Sequence, residues 1–404
     1  MNNLEYYIWL SEVISKGSNT INKILEDFDD ISEFYGACQK DVASVNHLSP
    51  LERKTIKETP ISIAKEIISD CEKSKIKIVC VEDDDYPQSL RNIYAIPPVL
   101  YYYGSLEKVN NTAGIAIVGT RKATDAGKMV TANLAFSLAM SGITVVSGCA
   151  IGIDEFAHKG AIKAGGTTYA VLACSVDHNY PKENAKLKKA ILNSGGALIS
   201  EIAPKRNKIN PSYIPKRNRI ITGMAECTLL TEVPARSGAS TSAQHALDQG
   251  KEVFCTPPLV YGSSKFDGVI KFLRSGAIPV YDVADILIEY YMRYAHKIDV
   301  EKAVEIIEEK KSQITAQIEV KEAKEKDSEE KPPEKKIPDK PKLENVSENA
   351  EKVYNAMTLD PMSIDELIEV TDITVGVLLA TLSELELAGV VKFVAGRRYA
   401  LVRD

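Results

Sequence analysis

The chain has 404 residues, 44% apolar and 26% charged, with a formal net charge of −6, which excludes a fibrous or low-complexity protein and predicts two or three globular domains. No stretch approaches the roughly 20 apolar residues of a membrane helix, and the first 17 residues lack the basic start, apolar run and small-residue cleavage site of a signal peptide. The seven cysteines are scattered with no C-x-x-C pair, so a cytoplasmic protein is expected, with neither a disulfide frame nor a metal or cofactor site.

Residues 1–75 have a helical pattern. Leu4, Ile8, Trp9, Leu10, Val13 and Ile14 fall at helical spacing, Lys16-Gly-Ser-Asn-Thr20 marks a turn, and Ile21–Phe28 and Ile61–Cys71 continue the rhythm. A small all-α domain is predicted. From residue 76 to 298 the texture changes. After the apolar runs Ile76–Val81 and Val99–Tyr103, short strand-like runs begin at Ile115, Ile143, Thr168, Ala197, Thr228 and Val253. Helical stretches lie between them at Ala126–Met140, Glu155–Ala164, Asn184–Asn193, Arg219–Gly223 and Ala239–Gln249, with Lys271–Arg274 and Val283–Tyr294 after them. That alternation predicts an α/β domain: a Rossmann-like, doubly wound, mainly parallel sheet covered on both faces.

Residues 299–345 read as a charged linker, because Glu319–Lys342 is almost all Lys, Glu, Asp and Pro and cannot bury enough apolar surface to order itself. Residues 346–404 read as a winged-helix domain. Asn349–Met357 is helical, Ser363-Ile-Asp-Glu366 is a capping box, and Thr374–Leu387 is a longer helix. Val390–Phe393 and Tyr399–Val402 then form a hairpin.

Of five motifs, four follow predicted strands, at the sheet edge where α/β proteins bind ligands over helix N-termini, and one, Lys216–Arg219, follows the turn-rich Pro211–Pro215 stretch. In Val118-Gly-Thr-Arg121, Gly119 and Thr120 form a loop that lets backbone approach an anion, and Arg121 offers a fork of donors for phosphate. In Ser147-Gly-Cys-Ala-Ile-Gly-Ile-Asp154, Gly148 and Gly152 permit a tight phosphate-cradling turn and Ser147 adds a hydroxyl; the dinucleotide fingerprint G-x-G-x-x-G is not met. Asp154 and His158 share a helix face, either as an acid–His pair or as an N-cap aspartate and a packed histidine that structure the loop. With no nucleophile or metal-ligand set beside them, the loop-structuring role is expected.

Lys186, Lys188 and Lys189 open a helix after Asn179-Tyr-Pro-Lys-Glu-Asn184, where cations oppose the macrodipole unless an anion arrives. Lys216-Arg-Asn-Arg219 places Arg217, Asn218 and Arg219 at a helix start, with Tyr213 as a stacking surface. One of these arginines could instead pair with Glu201 or Glu232. Ser237, Gly238 and Thr241 sit at a further helix N-terminus, suited to capping or to an anion. From Lys182 to Arg219 there are ten Lys/Arg and two Asp/Glu, a local basic stretch that suits an anionic partner or a solvated surface.

In order and spacing these motifs resemble the DprA/Smf family of DNA-processing proteins. The resemblance runs through Tyr86-Pro-Gln-Ser-Leu90, Val118-Gly-Thr-Arg-Lys-Ala-Thr124, the Ser147–Asp154 segment with His158, Tyr180-Pro181, Arg217-Asn-Arg-Ile-Ile221, Ser237-Gly238 and Gly276-Ala277. It departs at Pro258, where the family often has Gly, and at Ile270, where Asn is common. The resemblance implies a recombination mediator, not an enzyme. Such a protein binds single-stranded DNA in a basic pocket, dimerises through the Rossmann-like domain and loads the recombinase RecA. DNA contacts are carried over to Arg121, Lys186 and Arg217–Arg219. Two other readings stand beside it. A nucleotide-binding or nucleoside-monophosphate-hydrolysing enzyme would want a P-G-G-x-G-T loop and a catalytic Glu, for which Val233–Gly238 and Glu232 are poor substitutes. A winged-helix regulator would want cations on Thr374–Leu387, which has none, leaving Arg397 and Arg398 in the wing.

Overall fold

Trp9 anchors the front of the chain. It is fully buried on α1 (Asn3–Val13), meets Tyr35 edge-on at 4.9 Å, and donates its indole N–H to the Thr59 carbonyl at 2.9 Å. Around it pack α2 (Thr20–Asp27), α3 (Ile31–Asp41), α4 (Pro50–Glu58) and α5 (Ser62–Ser74). Helix α4 starts at a capping box of Ser49 and Glu52, with Pro50 at the position where a missing N–H costs nothing. This computed structural model describes residues 3–205, 210–260, 262–310, 312, 343, 346–358, 360–394 and 398–402. It divides into two units, Met1–Gln317 and Ile318–Asp404.

The first unit is built on a nine-stranded sheet. Its strands are β1 (Lys77–Cys80), β2 (Val99–Gly104), β3 (Gly114–Val118), β4 (Thr144–Ser147), β5 (Thr168–Val171), β6 (Ala197–Ser200), β7 (Cys227–Leu230), β8 (Glu252–Cys255) and β9 (Ile278–Pro279), in the order β1-β2-β6-β5-β4-β3-β7-β8-β9. From β6 to β9 every pairing is parallel; β2 joins β6, and β1 joins β2, antiparallel. The order 5-4-3-7-8-9 is that of a doubly wound Rossmann-like sheet, and its direction of winding reverses between β3 and β7. The expected fold class therefore holds, with two antiparallel strands added at one edge.

Both faces are covered, so β3 to β7 are buried along their whole length. On one side α6 (Asp125–Met140), α7 (Ile153–Lys163) and α12 (Val283–Tyr294) bury Leu138, Ala157 and Leu287. On the other side α8 (Ala185–Asn193), α9 (Tyr213–Gly223), α10 (Gly238–Asp248) and α11 (Asp267–Arg274) bury Ile191, Ile220, Ala243 and Val269. The charged segment expected from residue 299 begins as α13, helical over 300–310, with Ala303 and Ile307 buried against the α6/α12 side.

The expected short helix at Arg219–Gly223 is longer and starts at Tyr213. Pro215 lies in its first turn, where backbone N–H groups have no intrahelical partner, so a residue that reads as a helix breaker is tolerated. Arg217 therefore sits inside the helix rather than at its start.

The second unit is a winged helix: α14 (Glu348–Ala356), β10 (Met362–Ser363), α15 (Ile364–Thr371), α16 (Val375–Leu387), β11 (Val391–Val394) and β12 (Arg398–Leu401). Leu367, Leu378, Leu382 and Leu385 form its core. Ser363 and Glu366 make the expected capping box, and the strands pair in the order β10-β12-β11. Arg397 lies outside the described residues. Among the described residues no helix is long and apolar enough to cross a membrane.

Candidate functional site

A cleft of about 470 Å³ opens where the sheet reverses its winding. The loops after β3, β4 and β7 and the first turns of α9 and α10 build its walls. Gly119, Thr120 and Arg121 come from the first loop, Ala150 from the second, Asp154 from the first turn of α7, Arg217 and Asn218 from α9, and Ser237 and Gly238 from the N-cap and first residue of α10. A smaller slot of about 150 Å³ adjoins it, sharing Arg121, Ala150, Ile214 and Arg217, with Ile151, Leu172, Tyr180 and Pro181 as an apolar lining.

Arg121 is exposed at the rim. The strand end that carries it is pinned from below. Thr120 donates its N–H to the Glu232 carbonyl at 2.7 Å, and Ile153 donates to the Thr120 carbonyl at 3.2 Å. A Cβ on Gly119 would meet Ile153 at 2.5 Å, and one on Gly152 would meet the Thr120 carbonyl oxygen at 2.5 Å. These glycines let the β3 and β4 loops touch. Gly152 is buried with a φ of 91°, so its place is between the loops rather than on a bound anion.

Arg217 is only 7% exposed and lines both the cleft and the slot. Its Nη1 donates to the carbonyls of Gly148 (2.9 Å) and Val171, and its Nε donates to Asn218 Oδ1 at 3.2 Å. The Asn218 amide in turn donates to the Gly238 carbonyl at 2.9 Å, latching α9 to α10. Burial lowers the pKa of Arg217, and Asp154 is the foremost group opposing that shift. Asp154 is itself buried; desolvation raises its pKa, while Arg217 and the Ala150 and Gly148 N–H groups pull it down. The two opposite charges, both buried in the cleft wall, favour each other's ionised form, and Asp154 also holds the loop through the Ala150 N–H at 3.4 Å. The N-cap of α7 is Gly152, with Asp154 in the first turn, so the expected cap role is replaced by loop bracing.

His158 is fully buried, and its Nδ1 meets Thr168 Oγ1 at 2.7 Å. Thr168 Oγ1 donates to the Val145 carbonyl at 2.7 Å, which makes the ring nitrogen the donor. Burial pushes its pKa down to about 3, so the imidazole is neutral and structural.

Several expected site residues are placed elsewhere. Arg219 turns inward, 4% exposed, and pairs with Glu201 at 2.6 Å, the ion-pair role foreseen for one arginine of the segment. The Ser147 hydroxyl is fully buried and donates to the Ile117 carbonyl at 2.6 Å, so it offers nothing to a ligand. The α10 residues on the wall are Gly238, Ala239 and Ser242 rather than Thr241, while Ser237 caps the helix by accepting from the Ser240 N–H. Lys186 is exposed on α8 and does not line the cleft. Lys188 is buried instead and donates to the Tyr180 carbonyl at 2.7 Å, holding the loop of the slot. Tyr213 faces a different groove, against α1 and α4.

Lys122, Arg236, Tyr180 and Ile214 belong to the site although the sequence reading gave them no role. Lys122 and Arg236 each follow a strand end by a few residues, the signal that could have found them. Glu232 is fully buried, its carboxylate accepting from the Thr124 backbone N–H and hydroxyl, so it braces the β3 loop and does not line the cleft.

Fold and cleft together define a Rossmann-like α/β protein with a basic crevice at the switch point of its sheet, joined in one chain to a winged-helix unit. A family model described as DNA recombination-mediator protein A matches residues 77–291, and one described as the DprA winged helix domain matches residues 337–397. Protein Smf of Synechocystis is 30% identical over 327 residues, covering 79% of this chain and 78% of its own. The DNA processing protein DprA of Bacillus subtilis is 36% identical over 218 residues, 53% of this chain and 71% of its own. The X-ray structure of DNA processing protein A from Streptococcus pneumoniae superposes with a TM-score of 0.61 at 26% identity, covering 72% of this chain and 98% of that one. The chain belongs to the DprA/Smf family of DNA-processing, recombination-mediator proteins.

Proposed function

We propose that the chain binds single-stranded DNA in the cleft at the β3–β7 switch point and acts as a mediator rather than as an enzyme. The observation that carries this reading is the charge of the walls. Arg121, Lys122, Arg217 and Arg236 line the cleft against one acid, Asp154, among the described residues. That acid is buried and its charge is offset by Arg217 and Arg121, so the exposed wall is cationic. The adjoining slot, apolar and flanked by Arg121, suits an unstacked base, which a duplex does not present. Few side chains are placed to read base edges, so binding without strong sequence choice is expected.

Family membership supports the wider role: protecting single strands and loading RecA in the cytoplasm, as a homodimer formed through the Rossmann-like domain. A duplex-reading role for the winged helix has less support. Helix α16 has no Lys or Arg and exposes Val375, Val377 and Leu379. The test is fluorescence anisotropy with single-stranded and duplex oligonucleotides of equal length over a salt series. Tighter single-strand binding with a linear salt dependence supports the reading; equal or tighter duplex binding overturns it.

A further inference from the structure

Helices α6 and α7 cross in close contact beside the cleft. A Cβ on Gly160 would come within 2.3 Å of the Ala132 carbonyl oxygen. With small residues at the crossing, the larger side chains on either side leave a groove of about 320 Å³ flanked by Phe136 and Phe156, both half-buried. Three lysines stand over these rings. Lys159 Nζ is 4.7 Å and Lys128 Nζ 5.8 Å from the Phe156 centroid, and Lys163 Nζ is 5.9 Å from that of Phe136. Lys128 and Lys159 also pair with Asp125 and Glu155, while Lys163 has no carboxylate partner among the described residues.

We propose that this groove carries single-stranded DNA onward from the cleft, an inference that rests on reading the cleft as the single-strand site. The groove starts where the chain leaves the cleft: Lys122 of the cleft wall precedes α6 by three residues, and Lys128 in the first turn of α6 stands over Phe156 of α7. From Asp154 to Lys163 α7 runs for roughly 14 Å at ~1.5 Å per residue. Lys122 on the cleft rim precedes α6, so cations follow one another from Arg121 through Lys122 and Lys128 to Lys159 and Lys163. Aromatic faces interleaved with cations are what a single strand needs: bases stack on the rings whatever their identity, and ammonium groups neutralise the phosphates between them. Asp125 is 99% and Lys159 49% exposed, so each pair opens to solvent on one side, where ion pairs are weak enough for a phosphate to compete.

Phe156→Trp in the full chain reads the stacking directly. The chain has one tryptophan, Trp9, which is fully buried, so its emission is a constant background. Quenching is expected with an oligothymidylate of about 15 nucleotides and not with one of about 5, which the cleft alone accommodates. Lys159→Ser with Lys163→Ser should leave short-oligonucleotide affinity at the parent value. It should weaken long-oligonucleotide binding and flatten its salt slope by about 0.7 per lost phosphate contact. The groove is excluded if the new indole is not quenched by the long strand, or if the double variant keeps the parent affinity and slope. Quenching by an acidic peptide and not by DNA also excludes it. Failure of the parent chain to bind either length overturns the cleft reading, and this inference with it.

Discussion

Arg217 Nη1 donates to the Gly148 carbonyl at 2.9 Å, and a Cβ on Gly148 would lie 2.4 Å from that same nitrogen. Glycine at this position is therefore what allows a buried arginine to cross under the β4 loop and tie it to the end of β5. Gly148→Ala should push the guanidinium off the Gly148 and Val171 carbonyls. Loss of those bonds should cost about 1–2 kcal/mol of stability, read as a lower denaturation midpoint, and single-strand binding should weaken with it. Unchanged stability and binding would mean that Arg217 has another position of equal energy.

Arg219, two residues on, should behave differently. Replacing it with Met leaves Glu201 buried without its partner, and breaking a buried pair this way typically costs ~3–5 kcal/mol. The folded fraction should still bind single strands with the parent salt slope. A variant of parent stability with weakened binding would place Arg219 on the DNA instead.

His158 sets part of the acid limit of the fold. Its folded pKa, about 3, lies below the ordinary histidine value of 6.5, so as pH falls below 6.5 the unfolded chain takes up the proton first. Stability is then lost at up to ~1.4 kcal/mol per pH unit until pH approaches the folded value. Asp154 works the other way, because burial raises its pKa and the folded state gains a proton before the unfolded one does. His158→Gln should flatten the decline of denaturation midpoint between pH 6 and pH 4 relative to the parent. An unchanged profile would show that carboxylates alone govern acid unfolding.

The DNA-binding unit should end after α13. Ala303 is fully buried and Ile307 nearly so, and Asp299 donates its N–H to the Ser141 carbonyl at 2.9 Å. A chain stopped at residue 310 should bind single strands as the full chain does. One stopped at residue 295 should melt earlier, because the core between α6 and α12 loses its cover. If the longer form folds and no longer binds, the winged helix contributes more than the cleft geometry allows.

The strands and most helices were legible because short β-branched runs and amphipathic stretches alternate cleanly between Ile115 and Cys255. Strand β9 was not, since two residues, Ile278 and Pro279, give no periodicity. The start of α9 was hidden by Pro215, whose tolerance in a first turn depends on a backbone position that composition does not reveal. Site residues were legible as loops after strands but not by direction. Ser147, Arg219 and Lys188 look like donors for a ligand in sequence, yet each is buried and bonded to the protein. Which side of a loop faces the cleft is settled by packing such as Gly148 beneath Arg217, and no spacing rule carries it.

The most direct test of the cleft is Arg121→Ala, measured for single-strand affinity over a salt series beside its melting temperature. Arg121 is exposed, and no carboxylate pairs with it among the described residues. Its removal should therefore leave the melting temperature nearly unchanged, weaken binding, and reduce the slope of log affinity against log salt by about 0.7. A well-folded Arg121→Ala chain with the parent affinity and the parent slope would contradict the account.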